Sequence, residues 1–154
     1  MATQIILLFD LLFYSIIAAQ SISYIISLTD VQQKMNVNEY IDFRKLTDKN
    51  FRLKFAKVVY ATLVSSIALV VITIIHFNLL LLVCAVIALL AFFIDIMIML
   101  KGNLPINDII DRWTAESYPA NWNEYREKWF DFFRLRQIVN LAGFVSLLLG
   151  VVFY

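Results

Sequence analysis

Asp95 asks the most of its surroundings. It lies in an otherwise apolar run from Leu79 to Leu100, five residues before the run ends. If that run crosses a bilayer, a charge near its centre costs roughly 2.5–3.5 kcal/mol, and such acids find partners. Arg136 and Asn140 stand at matching depth on the last apolar run, so an Asp95–Arg136 pair is expected. The pair would serve equally as a structural clamp or as the anchor of a polar pocket. Beside it come Asn103, Asn107, Trp113, Trp122, Arg126 and Trp129. Amides, indoles and guanidinium groups in that number could hold the rim, the flat face and the negative charge of a hydrophobic substrate or lipid. Asp95 is the candidate catalytic base, since cofactorless oxygenation needs a base and a dry pocket. Each residue also has a plainer use. Two Asn flanking Pro105 are natural helix caps, Trp belts mark membrane interfaces, and Arg126 and Arg136 could each pair with a nearby carboxylate. His76 is the only histidine and Cys84 the only cysteine. A metal centre is therefore not expected, Cys84 reads as a small packing residue, and no Gly-rich loop offers a nucleotide site. No cofactor can be named.

These residues are positioned by a strongly apolar chain. Of 154 residues, 62% are hydrophobic and 16% charged, with 3 Gly and 2 Pro; soluble domains run near 45–50% and 25%. That excludes a disordered chain, a disulfide scaffold and an ordinary soluble enzyme. A net charge of +1 gives no bulk attraction for nucleic acid. Four stretches are long enough to span ~30 Å of hydrocarbon as helices: about 5–28, 58–75, 79–100 and 137–154. The expected fold is all-α, an integral membrane four-helix bundle in one domain, with short amphipathic cytoplasmic helices. Only His76-Phe77-Asn78 separates the middle spans, which must form a tight hairpin. The first span has no basic flank and no cleavage signal, and reads as a retained helix.

All 13 Lys and Arg fall in segments 29–57 and 101–136. The positive-inside rule puts both segments in the cytoplasm and both termini outside. For a bacterial protein that means a multi-pass protein of the inner membrane. Small residues should mark helix contacts: Ser15, Ala19, Ser23 and Ser27 on the first span, Ala61 and Ser65 on the second, Cys84 and Ala88 on the third, and Ala142, Ser146 and Gly150 on the fourth. Asp10 lies near the outer end of the first span; a wetted acid or a His76 partner would suit it.

In 29–57, Tyr40, Ile41, Phe43 and Leu46 predict a short amphipathic helix, with Asp48 as the N-cap of the next. In 101–136, Gly102 to Pro105 should break the third helix. Pro105 should then start another, with Ile106, Ile109, Ile110 and Trp113 on one face and an end at Tyr118-Pro119. Asn121 to Glu124 has capping-box spacing. From Trp122 one helix can run to Tyr154.

Asn103-Leu104-Pro105-Ile106-Asn107, Trp113, Pro119-Ala120-Asn121-Trp122, Arg126-Glu127-Lys128-Trp129 and Phe133-Arg134-Leu135-Arg136 form a pattern. It resembles the anthrone-oxygenase-like family of small four-helix membrane proteins, a family largely of unknown function. The resemblance covers about 35 residues and departs at Phe133, where many relatives carry His. It implies the fold more firmly than it implies oxygenation.

Three functions follow as expectations. The first is a non-enzymatic membrane subunit of a larger complex, with a protein partner or a second copy of the chain; the absence of a His-rich or Cys-rich site and of His at 133 favours it. The second is a membrane oxygenase or oxidoreductase for a hydrophobic aromatic substrate. The third is lipid or ion transport, for which no inverted repeat is found.

Overall fold

A computed structural model describes residues 2–154. It is all-helical, with 89% of the chain in helix and no strand. Four helices carry the fold: α1 (Ala2–Lys34), α2 (Val37–Ile75), α3 (Leu79–Ile110) and α4 (Trp122–Phe153). Each is long and apolar enough to cross a membrane. They run up and down in a ring: α1 packs on α2 and α4, α3 packs on α2 and α4, and α3 and α4 share the largest contact. One end of the bundle holds the 76–78 turn and both chain ends. The other, the basic end, holds the remaining connections.

Local chemistry sets the breaks. Met35 is extended, and Asn36 then starts α2 with a reciprocal capping box: its side chain accepts from the Glu39 backbone while Glu39 accepts from the Asn36 N–H. At the turn end His76 leaves helical geometry, and Asn78 caps α3 by accepting from the Leu81 N–H at 2.9 Å.

The basic end departs from the sequence pattern. Asp48 caps nothing; α2 is one continuous helix, and the Asp48 carboxylate accepts from Arg52 at 2.6 Å and from Asn107 at 2.7 Å. Gly102 to Pro105 does not stop α3 either. The backbone widens into a π turn over Met99–Asn103, where the Leu104 N–H reaches back to Met99, and the helix passes Pro105 to end at Ile110. The wider turn absorbs a residue that cannot donate to its own preceding turn. The helix therefore ends well before Tyr118-Pro119, and Trp113 sits in the turn beyond it. Asn121 precedes α4 without capping its backbone; its amide donates instead to the Glu124 carboxylate at 3.1 Å.

The packing stripes are also redrawn. Ala19, Ser23 and Ser27 of α1 and Ala142 of α4 face outward. Ser15 and Ser23 bond the carbonyls of Leu12 and Ala19 on their own helix, so neither needs a partner helix. The buried face of α1 runs instead through Leu7, Asp10, Tyr14, Ile17 and Ser21. Ser65, Cys84, Ala88, Ser146 and Gly150 do lie inside. Gly143 allows the tightest crossing: a Cβ there would fall on the Tyr14 hydroxyl and against the Ala91 Cβ. That hydroxyl reaches across the bundle to the Ala88 carbonyl at 3.2 Å.

Candidate functional site

Three of the four helices carry a π turn, at Tyr24–Leu28, Phe51–Phe55 and Met99–Asn103. Such turns are rare and frequent at functional sites. Here residues of all three line one cavity of about 560 Å³ in the basic half of the bundle. A volume of that order suits a small-molecule site, ~300–1,000 Å³. Its walls are mainly apolar: Ile17, Phe55, Val59, Leu63, Ile96 and Met99 among them. Its exposed lining residues are Tyr60 (69% exposed), Phe93 (44%) and Leu100 (50%), an apolar rim on α2 and α3, and Arg52 toward the basic end.

Two polar groups border it. The first is the Asp95–Arg136 pair. Arg136 Nε donates to Asp95 Oδ1 at 2.6 Å, and Asn140 donates to the same oxygen at 3.1 Å. With its oxygens so occupied, Asp95 acts as a clamp between α3 and α4. The second centres on Asn107. Its Oδ1 accepts from Arg44 Nη2 at 2.8 Å and from the Trp129 indole at 2.9 Å, and its Nδ2 donates to Asp48. The Arg44 guanidinium lies 3.9 Å over the Trp129 ring, a cation–π contact. Asn103 donates to the Trp129 carbonyl at 2.9 Å. Neither Asn is a helix cap; both tie α3 to its neighbours.

The structure thus brings Asp95, Asn103, Asn107, Trp129 and Arg136 to the cavity. Trp113, Trp122 and Arg126 stand apart, in a cap at the basic end. The Trp113 carbonyl accepts from Lys45 at 2.6 Å, and its ring meets Tyr125 edge-on. Arg126 takes no carboxylate as its main partner. Its Nη1 donates to the carbonyls of Gln32 and Met35, satisfying the C-terminal end of α1. Its guanidinium lies 4.7 Å from the Trp122 ring. Tyr40 is buried beside it, and burial pushes its phenol pKa up to about 12 against the opposing pull of Arg44 and Arg126.

Arg44 and Asp48 carried one signal in the sequence beyond the charge count. With Tyr40 and Ile41 they recur at helical spacing on the buried face of α2. Asp10 is neither wetted nor near His76. It is fully buried, and the hydroxyls of Ser65 and Ser66 both donate to its Oδ1 at 2.7 Å. Among the described residues, no three His, Cys, Asp or Glu side chains gather as a metal site.

Fold and site together define an all-helical bundle with four apolar helices and a laterally open cavity. Comparison with protein-family models, with curated proteins and with solved structures finds no match.

Proposed function

We propose that the chain is a multi-pass membrane protein that binds a hydrophobic molecule entering its cavity sideways from the lipid. One observation carries this reading: a cavity of about 560 Å³, ringed by three π turns, opens through Tyr60, Phe93 and Leu100 onto an apolar flank. The distribution of Lys and Arg supports both termini outside and the basic end in the cytoplasm, which would place the cavity in the inner leaflet. Single cysteines at the exposed positions 77 and 128, with Cys84 replaced, test that orientation: external labelling of 128 in intact cells would reverse it.

The anthrone-oxygenase-like resemblance fits this reading in part. Asn103, Asn107, Trp129 and Arg136 of its motifs border the cavity, whereas Trp113, Trp122 and Arg126 serve the cap. Binding is the conclusion favoured here over oxygenation, because Asp95 is committed to Arg136 and Asn140. The subunit reading is the competing outcome. Gentle purification followed by mass spectrometry of small molecules decides between them. The parent should carry a hydrophobic compound that Val59→Trp and Leu63→Trp, which fill the cavity, lose while remaining folded. A parent that carries no compound, with its α2–α3 flank covered by another protein, would replace binding with the subunit role.

A further inference from the structure

The polar side chains that line the cavity divide into engaged and free. Every charged one is engaged. Arg136 pairs with Asp95, and Arg52 pairs with Asp48 and, outside the lining, with Asp108. Arg44 donates to Asn107, which donates in turn to Asp48, and the Arg44 Nε and Nη1 are closed off by protein. Three arginines thus stand among three aspartates, and the lining offers an ion no counter-charge. Asn103 and the Trp129 indole are engaged as well. Inside the rim that leaves Gln20, Tyr24 and Thr47. Among the described residues their side chains take no hydrogen bond, and their polar atoms are not sealed in protein. Tyr24 is the most telling. It is only 3% exposed, so the small surface it keeps includes its hydroxyl, and the cavity is what it lines. Gln20 stands one turn before it on the same face of α1. The Tyr24 ring packs on Trp129 and Phe133 of α4, at 5.8 Å and 4.3 Å between centroids. This wall is therefore the α1–α4 side, across the ring of helices from the exposed rim on α2 and α3.

We infer that the ligand is an uncharged aliphatic alcohol, its hydroxyl held by Tyr24 and Gln20 and its chain reaching across the bundle to the rim at Tyr60, Phe93 and Leu100. The inference rests on the proposed binding function and names its ligand class. A hydroxyl both donates and accepts, and so do a phenol and an amide side by side. A carboxylate or phosphate would enter an apolar space in which every cation is already taken, and burying an unpaired charge is strongly unfavourable. A plain alkane would leave the Tyr24 and Gln20 groups unbonded away from water, a cost that the alcohol removes. Ile17, Val59, Leu63 and Ile96 also line the cavity, aliphatic side chains that suit an aliphatic body.

Three brominated probes of equal chain length test this: 9,10-dibromooctadecan-1-ol, 9,10-dibromooctadecane, and 9,10-dibromostearate at a pH where it is ionised. Each is titrated into the full-length protein in an uncharged detergent. Bromine quenches tryptophan at short range, and Trp129 lines the cavity. The alcohol should quench saturably and bind about tenfold more tightly than the alkane, the worth of one to two neutral hydrogen bonds. It should also bind more tightly than the acid. Tyr24→Phe keeps the ring on Trp129 and Phe133 and should remove most of the preference for alcohol over alkane without weakening the alkane. Tyr24→Phe combined with Gln20→Leu should remove all of it, whereas Thr47→Val should leave it intact. Tighter binding of the acid would overturn the uncharged headgroup. Equal binding of alcohol and alkane, or a preference that survives the double variant, would overturn the placement of the hydroxyl and leave the cavity as a site for plain hydrophobes. Saturable quenching by none of the three would overturn the binding function itself. The three-probe comparison on the parent decides alone should the double variant not fold.

Discussion

Asp10 and Asp95 are both buried carboxylates on apolar helices, and they are held in opposite ways. Asp10, in the half near the turn, has two serine hydroxyls on one oxygen and no cation among its hydrogen-bond partners. It is sealed by close packing, with Tyr14 and Gly143 nearby filling the bundle axis. Asp95, in the basic half, has a guanidinium and an amide, and it faces open space. Regular α-helix surrounds the first; the π turns cluster below the second. The contrast teaches that a buried acid alone does not mark a site. Around Asp10 the polar groups fasten helices that touch. Around Asp95 they fasten two helices beside a space that the bundle leaves open.

The largest effect should come from separating Arg136 from Asp95. Arg136→Leu strands a buried acid and should destabilise by about 3–5 kcal/mol in reversible unfolding from detergent. Asp95→Leu combined with Arg136→Leu should lose less than Arg136→Leu alone. Additive losses would show that the two do not interact and would dissolve the contrast with Asp10.

Next comes the sealed half. Gly143→Ala drives a methyl onto the Tyr14 hydroxyl and should lower stability by ~1–3 kcal/mol. Tyr14→Phe removes that obstacle, so the double variant should recover part of the loss. If Gly143→Ala melts with the parent, the turn half is looser than the structure describes.

Asp10→Leu should be milder, at ~1 kcal/mol, the low end for losing a buried partner. Ser65 already has a second acceptor in the Thr62 carbonyl at 3.0 Å, which leaves chiefly Ser66 unsatisfied. Asp10→Asn keeps an accepting oxygen and should fall between Asp10→Leu and the parent. A loss as large as that of Arg136→Leu would erase the distinction between the two acids.

The smallest effect at neutral pH belongs to Tyr40→Phe, because the Tyr40 hydroxyl is buried with no partner among the described residues. Its signature is in alkali. The folded pKa is raised to about 12 from 10.0, so the folded state holds the proton more tightly. Stability from this group is intact below pH 10 and is lost as pH rises through about 12. Urea titrations between pH 9 and 12 should show a shallower decline for Tyr40→Phe than for the parent; parallel curves would contradict this.

The four long helices and the 76–78 hairpin were legible because apolar length is a strong signal, and the Asp95–Arg136 pair because matching depth implies a partner. The continuous path of α3 past Pro105 was not legible. A π turn depends on the packing around Met99–Asn103, and local propensity alone reads Gly-Asn-Leu-Pro as a stop. The serine stripe of α1 misled for a related reason: Ser15 and Ser23 satisfy their hydroxyls on their own helix, so spacing without partners said nothing of direction. Arg44 was hidden among six other basic residues of segment 29–57. Its spacing from Tyr40 and Ile41 hints at the buried face, but its partners, Asn107 and Trp129, arrive from α3 and α4.

The 76–78 turn has a mechanical consequence. It joins α2 and α3 like the hinge of a pair of tongs, with the cavity between the arms and the fastenings at the tips. Those fastenings are Arg52 to Asp108 and Arg44 and Asp48 to Asn107. From Asn78 to Asn107 is a lever arm of ~45 Å at 1.5 Å per residue. A change of about 4° at the hinge therefore moves the tips by about 3 Å, the length of one hydrogen bond. The gap along the cavity is thus governed less by the apolar residues of its walls than by the three charged side chains that pin Asp108 and Asn107 at the far end.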